Sequence, residues 1–303
     1  MMGRRVKLAL TLAISGVLFA NSSPAKGAAC CMSASAVGIG RLLNWERFAM
    51  GLRTTASAGL GDWDSEGDWR AYSEDYADTQ WRSELWALVG LGQRASIFGR
   101  LPWMLNFRHV GNLGNGTGGG LADVQLGARF ELLSIGEILY LPAVAVTFAV
   151  TAPTGRPPSA SDVTGASVTS RGGWALGGGV SFEHTSVPYF ARFDVGVSVP
   201  LPHDGRRFGA SVTLALTGGY ELSTGLVISV YARLLREGAL WIDGAVIDDS
   251  QRSDAGLGLA VSYRFNPHWT LQAAIDSGLF IDGLGDNQQG RVAPTLGIRY
   301  GYF

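Results

Sequence analysis

From about residue 48 to the last residue, bulky apolar side chains recur at every second position, a period that suits a strand with two unlike faces and not a helix. In "ADVQLGARFEL", Val124, Leu126, Ala128, Phe130 and Leu132 fall on one side, with Gln125, Gly127, Arg129 and Glu131 opposite. In "LGLAVSYRF", Leu257, Leu259, Val261, Tyr263 and Phe265 form the apolar set, and Ser262 and Arg264 lie between them. "ILYLPAVAVTFAV" sets Ile138, Tyr140, Val144, Val146, Phe148 and Val150 against the smaller Ala143, Ala145, Thr147 and Ala149. Glycine agrees with this reading: 43 of 303 residues is about twice the usual share of roughly 7%, which disfavours helices.

The pattern predicts about twelve strands, near residues 48–60, 81–92, 95–109, 121–133, 137–151, 173–185, 188–200, 208–221, 225–236, 255–266, 268–280 and 291–303. Most are long enough to cross a bilayer when tilted. The connections alternate in length. Short ones fall at "GQR", "SIGE", "SV", "LST" and "NP"; long ones fall at 61–80, 110–120, 152–172, 201–207, 237–254 and 281–290. Short turns at one end and long loops at the other mark an outer-membrane barrel. A soluble sandwich or lipocalin-like barrel would also alternate, but its loops need not. Aromatic residues at strand ends and in loops (Trp45, Trp63, Trp69, Tyr72, Tyr76, Trp81, Trp103, Trp174, Tyr189, Trp241 and Trp269) suit interface girdles. The expected fold is therefore all-β: a transmembrane antiparallel barrel over 48–303, with short periplasmic turns and long extracellular loops.

The N-terminal segment fits this destination. Arg4, Arg5 and Lys7 precede an apolar run from Leu8 to Ala20, and small residues follow around Ala25 to Ala29. That is a secretory leader, assigned to 1–29 with an approximate cleavage site, and too short to anchor as a helix. The general secretory route suits it better than a twin-arginine signal, because Val-Lys-Leu follows the arginines. Residues 30–47 are expected to form a short periplasmic arm. Cys30 and Cys31 are the only cysteines, so no disulfide framework exists. Either is a candidate for lipidation after cleavage, although "KGAAC" lacks the usual leucine. Metal binding by two cysteines without a nearby histidine has little support, and no cofactor is expected.

If the bulky set faces lipid, the opposite set faces the lumen. That set contains Arg53, Arg100, Arg108, Arg129, Arg192, Arg233, Arg264 and Arg299, with Glu84, Glu131, Glu183, Asp194, Glu221 and Asp276. Ions belong inside, where water or partners satisfy them. Two readings stay open: a transverse field that selects solutes in a narrow aqueous pore, or a salt-bridge network that braces and partly closes the barrel. At the other end of the chain, Tyr300, Tyr302 and Phe303 resemble the terminal aromatic signal by which barrel-assembly machinery recognises its clients. Tyr300 and Tyr302 are out of phase with Phe303. The last strand is expected to pair with the first, so that no sheet edge meets hydrocarbon.

"RASIFGRLPWML", "GGGLADVQLGARFELL", "LPAVAVTFAVTAPTG", "NPHWTLQAAID" and "RVAPTLGIRYGYF" resemble the outer-membrane transporters grouped under the meta-pathway of phenol degradation. The similarity spans most of the chain beyond the leader. It implies a barrel that passes small, often hydrophobic or aromatic compounds across the outer membrane. Ala122, where the family usually has glycine before the aspartate, is a departure. The long-chain fatty-acid transporters are a more distant likeness, and the arm between Cys31 and Phe48 is short for their plug.

Other chemistries have weaker support. Gly114 to Gly120 are expected to be an extracellular loop entering the fourth strand, with Asp123 near its mouth; a phosphate-binding loop would lead into a helix instead. Pro153, Thr154 and Gly155 read as the end of a strand followed by a surface loop. The loop "GDWDSEGDWRAYSEDYADTQW" is rich in carboxylates but does not match a calcium loop, and is expected to be an aromatic-anchored surface loop. His109, His184, His203 and His268 fall at strand ends or in loops, and no serine sits in a nucleophile motif, so no enzyme is expected. Balanced charge, formally −1, argues against nucleic-acid binding. The expected function is a passive outer-membrane channel in contact with lipid and a small solute; a structural or surface-binding barrel is the alternative, and a lipid-modifying enzyme a more remote one.

Overall fold

The computed structural model describes residues 40–303, apart from 44, 74, 112–113, 139, 159–163 and 224. The leader, Cys30, Cys31 and most of the arm lie outside the described residues. Seventeen strands are present: β1 Phe48–Trp63, β2 Trp69–Ala71, β3 Tyr76–Leu91, β4 Ala95–Val110, β5 Gly114–Leu121, β6 Val124–Leu133, β7 Ala143–Ala152, β8 Ala175–Ser186, β9 Tyr189–Pro200, β10 Arg206–Arg207, β11 Ser211–Ser223, β12 Leu226–Glu237, β13 Trp241–Ile242, β14 Ala245–Val246, β15 Arg252–Arg264, β16 Trp269–Gly278 and β17 Gln289–Tyr302. Fourteen of them make one antiparallel sheet that closes by pairing β17 with β1. Counting β5 and β6 as one bulged strand, and β2 as a hairpin extension of β1, the wall has twelve strands. Phe48 pairs with Tyr302 and Thr54 with Leu296, so the last strand leaves no open edge.

Burial follows the period of two. Leu126 is 64% exposed on the outside of the wall, and Phe148, Leu216, Val230, Leu257 and Leu296 are exposed with it, whereas Glu84, Glu183, Arg192 and Asp194 are buried. A soluble barrel would have these sets exchanged. Glycine makes room inside. Phe98 lies over Gly127 and Tyr231 over Gly258, on neighbouring strands, where a Cβ would have no space. Short turns use glycine for another reason: Gly92 and Gly225 have φ of +79° and +97°, values that side-chain-bearing residues rarely adopt.

Three expected boundaries are corrected. Residues 137–138 and 140–142 are not strand; β7 starts at Ala143, and Tyr140 is 85% exposed in the preceding turn. Pro142 offers no N–H to a ladder, and the apolar alternation there belongs to an exposed turn. The glycine run 114–120 is not a loop but strand β5, paired with β4 from Val110–Gly114 to Trp103–Leu121. Finally, β3 begins at Tyr76, so half of the expected loop 61–80 is strand or hairpin.

Candidate functional site: the inner face of the barrel

The ladder register carries one face from strand to strand. Arg53 stands opposite Glu84 and Glu84 opposite Pro102; Arg100 stands opposite Gln125 and Arg129 opposite Ser96; Arg108 stands opposite Gly116. The same face runs through Glu131 opposite Ala145, Glu183 opposite Arg192, and Ala215 opposite both Asp194 and Arg233. Glu221 stands opposite Val227, Asp276 opposite Gly258, and Thr270 opposite both Arg264 and Arg299. Every charged residue that alternation places in the inner set therefore shares a face with the buried Glu84, Glu183, Arg192, Asp194 and Arg299.

Many of these charges meet. Arg53 donates to Glu84 at 2.7 Å, with Arg82 on the other oxygen at 3.4 Å. Arg192 holds Asp194 through Nε and Nη2, the latter at 2.7 Å. Arg233 bridges Asp254 and Asp276. Others keep polar atoms without a protein partner: Nε of Arg100, Nε of Arg129 and both oxygens of Glu183 are buried and unbonded. Buried groups of this kind need water or a solute. Arg100 and Arg129 border a cavity of about 210 Å³, together with Arg192, Asp194 and the bare backbone of Gly177, Gly179 and Gly196.

That cavity has two neighbours along the interior. Thr151, Ser198 and Ser211 line both it and a second cavity of about 380 Å³. Phe208 and Glu237 line both the second and a third, of about 770 Å³, among the long loops. The three cavities thus follow one another from the long-loop end inward, the outermost having the greatest volume of the three.

Both ends carry contents that alternation does not reveal. At the short-turn end the last part of the arm enters the barrel: Arg41, Leu43 and Glu46 are buried, Arg299 is paired with Glu46, and Arg41 lies 3.8 Å from Glu131. At the long-loop end Trp63, only 1% exposed, packs against Trp69 and Phe280, with ring centroids 4.7 and 6.2 Å away. Trp63 and Trp69 are thus cap residues and not part of a lipid-facing girdle; Trp81, Trp103 and Trp174 are exposed on the wall. Asp64 is engaged in its own turn. It accepts the backbone N–H groups of Asp68 and Glu66 and pairs with Arg70, contacts that hold its carboxyl below the usual carboxylate range. Burial raises the Tyr72 hydroxyl, which accepts a bond from Gln289 at 2.7 Å. In the turn at Glu137, the Ser134 N–H and Arg94 hold the carboxyl low.

Reading the sequence missed Asp78 and Asp254, because their strands start earlier than the apolar alternation does, and passed over Arg291 although it opens the expected strand 291–303 in phase with Arg299. Arg291 and Arg108 both approach Asp78, at 3.7 and 3.4 Å. Extending the period by one or two residues would have found Asp254, which shares its face with Gly256. Among the described residues no group of three His, Cys, Asp or Glu is placed to hold a metal. His109 bonds Asn115, and His203 lies 3.1 Å from Asp204. His268 stacks on Tyr300 and Phe303. Phe303 lies past the end of β17, so strand alternation does not fix its direction.

One family model, described as "Putative MetA-pathway of phenol degradation", matches residues 49–282. None of the curated proteins compared matches the chain. Among solved structures, an outer-membrane channel from Pseudomonas putida F1 is similar with a TM-score of 0.71 and 16% identity, over 86% of this chain and 97% of that one. The β domain of the autotransporter BrkA from Bordetella is similar with a TM-score of 0.51 and 16% identity, over 85% of this chain and 100% of that one. At such identities the likeness is one of fold, that of an outer-membrane β-barrel.

Proposed function

The chain belongs to the family of the MetA pathway of phenol degradation, and from that premise we propose that it is a passive outer-membrane channel for small solutes, aromatic or hydrophobic ones among them. The observation that carries this reading is the succession of three cavities inside a closed wall, neighbours among which share lining residues from the long loops to the arginines of the interior. A solute enters at the loops, crosses the middle cavity and meets Arg100, Arg129 and the Arg192–Asp194 pair. Charges fixed on a rigid wall orient dipolar solutes and reject those that cannot replace lost hydration. No energy source is needed. On this reading the leader directs secretion, the exposed apolar band contacts outer-membrane lipid, and Tyr300, Tyr302 and Phe303 serve recognition by assembly machinery. The buried arm favours a second reading, a closed structural barrel, since Arg41, Leu43 and Glu46 occupy the short-turn end.

Flux into liposomes carrying the refolded protein separates the two. Aromatic compounds that enter faster than sugars of similar size, after correction for bilayer leakage, support a channel selective for such solutes. Equal protein-dependent entry indicates a general pore, and absence of protein-dependent entry favours the closed barrel.

A further inference from the structure

At other inward glycines a side chain of the neighbouring strand or a cavity takes the space, as Phe98 does over Gly127; at Gly118 of strand β5 the occupant is main chain. Gly116 and Gly118 stand opposite Arg108 and Asn106 of β4, on the inner face. The reason lies 50 residues on in the chain. The segment Thr164–Ser170, part of the long connection between β7 and β8, is folded into the barrel, with Ala166, Ser167, Thr169 and Ser170 buried. A Cβ on Gly118 would fall 2.6 Å from the Cα of Ser167, and one on Gly116 would collide with Thr164. The bare strand is the seat of this segment.

Asn106 fastens it. This side chain is 1% exposed, and its amide nitrogen donates to the carbonyls of Ala166 at 2.8 Å and Val168 at 3.0 Å. Gln80 donates to the Asn106 oxygen at 2.8 Å, which fixes the direction of the amide. Arg108 reaches the Gly165 carbonyl at 3.1 Å, and the Thr169 hydroxyl donates to the Leu121 carbonyl at 2.7 Å. These bonds take up two side chains of the inner face and spend them on main-chain carbonyls of a loop. Both flanks of the segment, Pro157–Pro158 and Arg171–Gly173, line the middle cavity. The seated segment therefore stands beside the middle cavity.

We propose that Thr164–Ser170, seated on Gly116 and Gly118 and pegged by Asn106, is the constriction that sets which solutes pass. The inference rests on the channel reading above and assigns Asn106 as a positioning residue that touches no solute. Its size limit comes from main chain seated against main chain, so a change of seat alters the limit without altering any charge on the path.

The test uses the full chain with Cys30→Ser and Cys31→Ser, refolded into liposomes, its barrel verified by heat-dependent gel mobility. Ser167→Cys reports docking through its rate of reaction with a charged maleimide, and sucrose and raffinose entry reports size exclusion. Adding Asn106→Ala is expected to speed labelling roughly tenfold, the effect of losing one buried amide's bonds, and to raise raffinose entry relative to sucrose roughly twofold or more. Gly118→Val, in which valine suits a strand but evicts the segment by volume, is expected to do the same without touching Asn106. Fast labelling of Ser167→Cys with Asn106 intact overturns the proposal. So do labelling rates that ignore both variants, or faster labelling with unchanged relative entry. Sucrose entry that persists while the variants change nothing defeats this inference alone, whereas absence of entry through every form also defeats the channel reading.

Discussion

At the short-turn end the arm is fastened by ions, Arg299 on Glu46 and Arg41 on Glu131, whereas at the long-loop end Thr164–Ser170 is fastened by a neutral amide, a hydroxyl and the Arg108 guanidinium, which meets the segment only at carbonyls and has its counter-ion, Asp78, on the wall 3.4 Å away. The difference is one of consequence when a partner is lost. Removing one member of a buried ion pair strands a charge in a low-dielectric interior. Removing a neutral donor strands carbonyls, which water at an open mouth can recover at lower cost. The short-turn end is thus built to keep its arm seated until a charge changes, and the long-loop end to release its segment for a modest free energy.

The sharpest way to break this comparison is Arg299→Ala, which leaves Glu46 buried without its cation, an imbalance of ~3–5 kcal/mol. The arm is expected to leave the barrel, and trypsin added to the short-turn side should then cut at Arg41, a buried residue in the native protein; unchanged protection would mean that the ion pair does not hold the arm. The comparison also presupposes that both fillings lie on the inner face. Leu126→Arg, on the opposite face, should destabilise the reconstituted barrel by ~2–4 kcal/mol in denaturant, while the adjacent Gln125→Arg should cost little. Equal effects at the two neighbours would abolish the distinction between faces.

A smaller change probes the neutral end. Gln80→Ala removes the bond that directs Asn106, and a loss of ~1 kcal/mol corresponds to about fivefold faster hydrogen exchange at the Thr169 amide. A rise as large as that in Arg299→Ala would make the two ends alike. The smallest effect is expected outside the mouth, at the exposed turn of Asp64. Its folded-state carboxyl titrates below its ordinary value, so its contribution is complete above about pH 4 and is lost as pH falls through the folded value. Asp64→Asn should flatten this acid-side fraying of the Trp63–Trp69 hairpin, read as the protection of the Asp68 amide relative to its intrinsic exchange rate at each pH, so that protection varies little with pH.

How far the fold can be read from the sequence depended on which physical rule a segment obeys. Where a strand faces lipid on one side and polar groups on the other, as at Val124–Leu133, alternation marks both strand and faces. At Ile138 and Tyr140 the same letters alternate in an exposed turn, because an apolar turn at a membrane interface and a lipid-facing strand draw on the same residues. At Gly114–Leu121 alternation vanishes, since the inner partner of the strand is another part of the chain and only glycine admits it. The inner charges were legible because their opposite faces were greasy. Asn106 was not, since its partners are main-chain carbonyls 60 and 62 residues away, and a carbonyl has no sequence signature.

The account stands on a wall whose inner face meets water and whose outer face meets lipid, and a cysteine scan of Ala143–Ala152 tests it most directly. The protein, with Cys30→Ser and Cys31→Ser, would be reconstituted and exposed to a charged, membrane-impermeant thiol reagent. Reaction at cysteines replacing Thr147, Ala149 and Thr151, with protection at Val146, Phe148 and Val150, is the predicted result. Uniform reaction, or protection of the first set with reaction of the second, would contradict it.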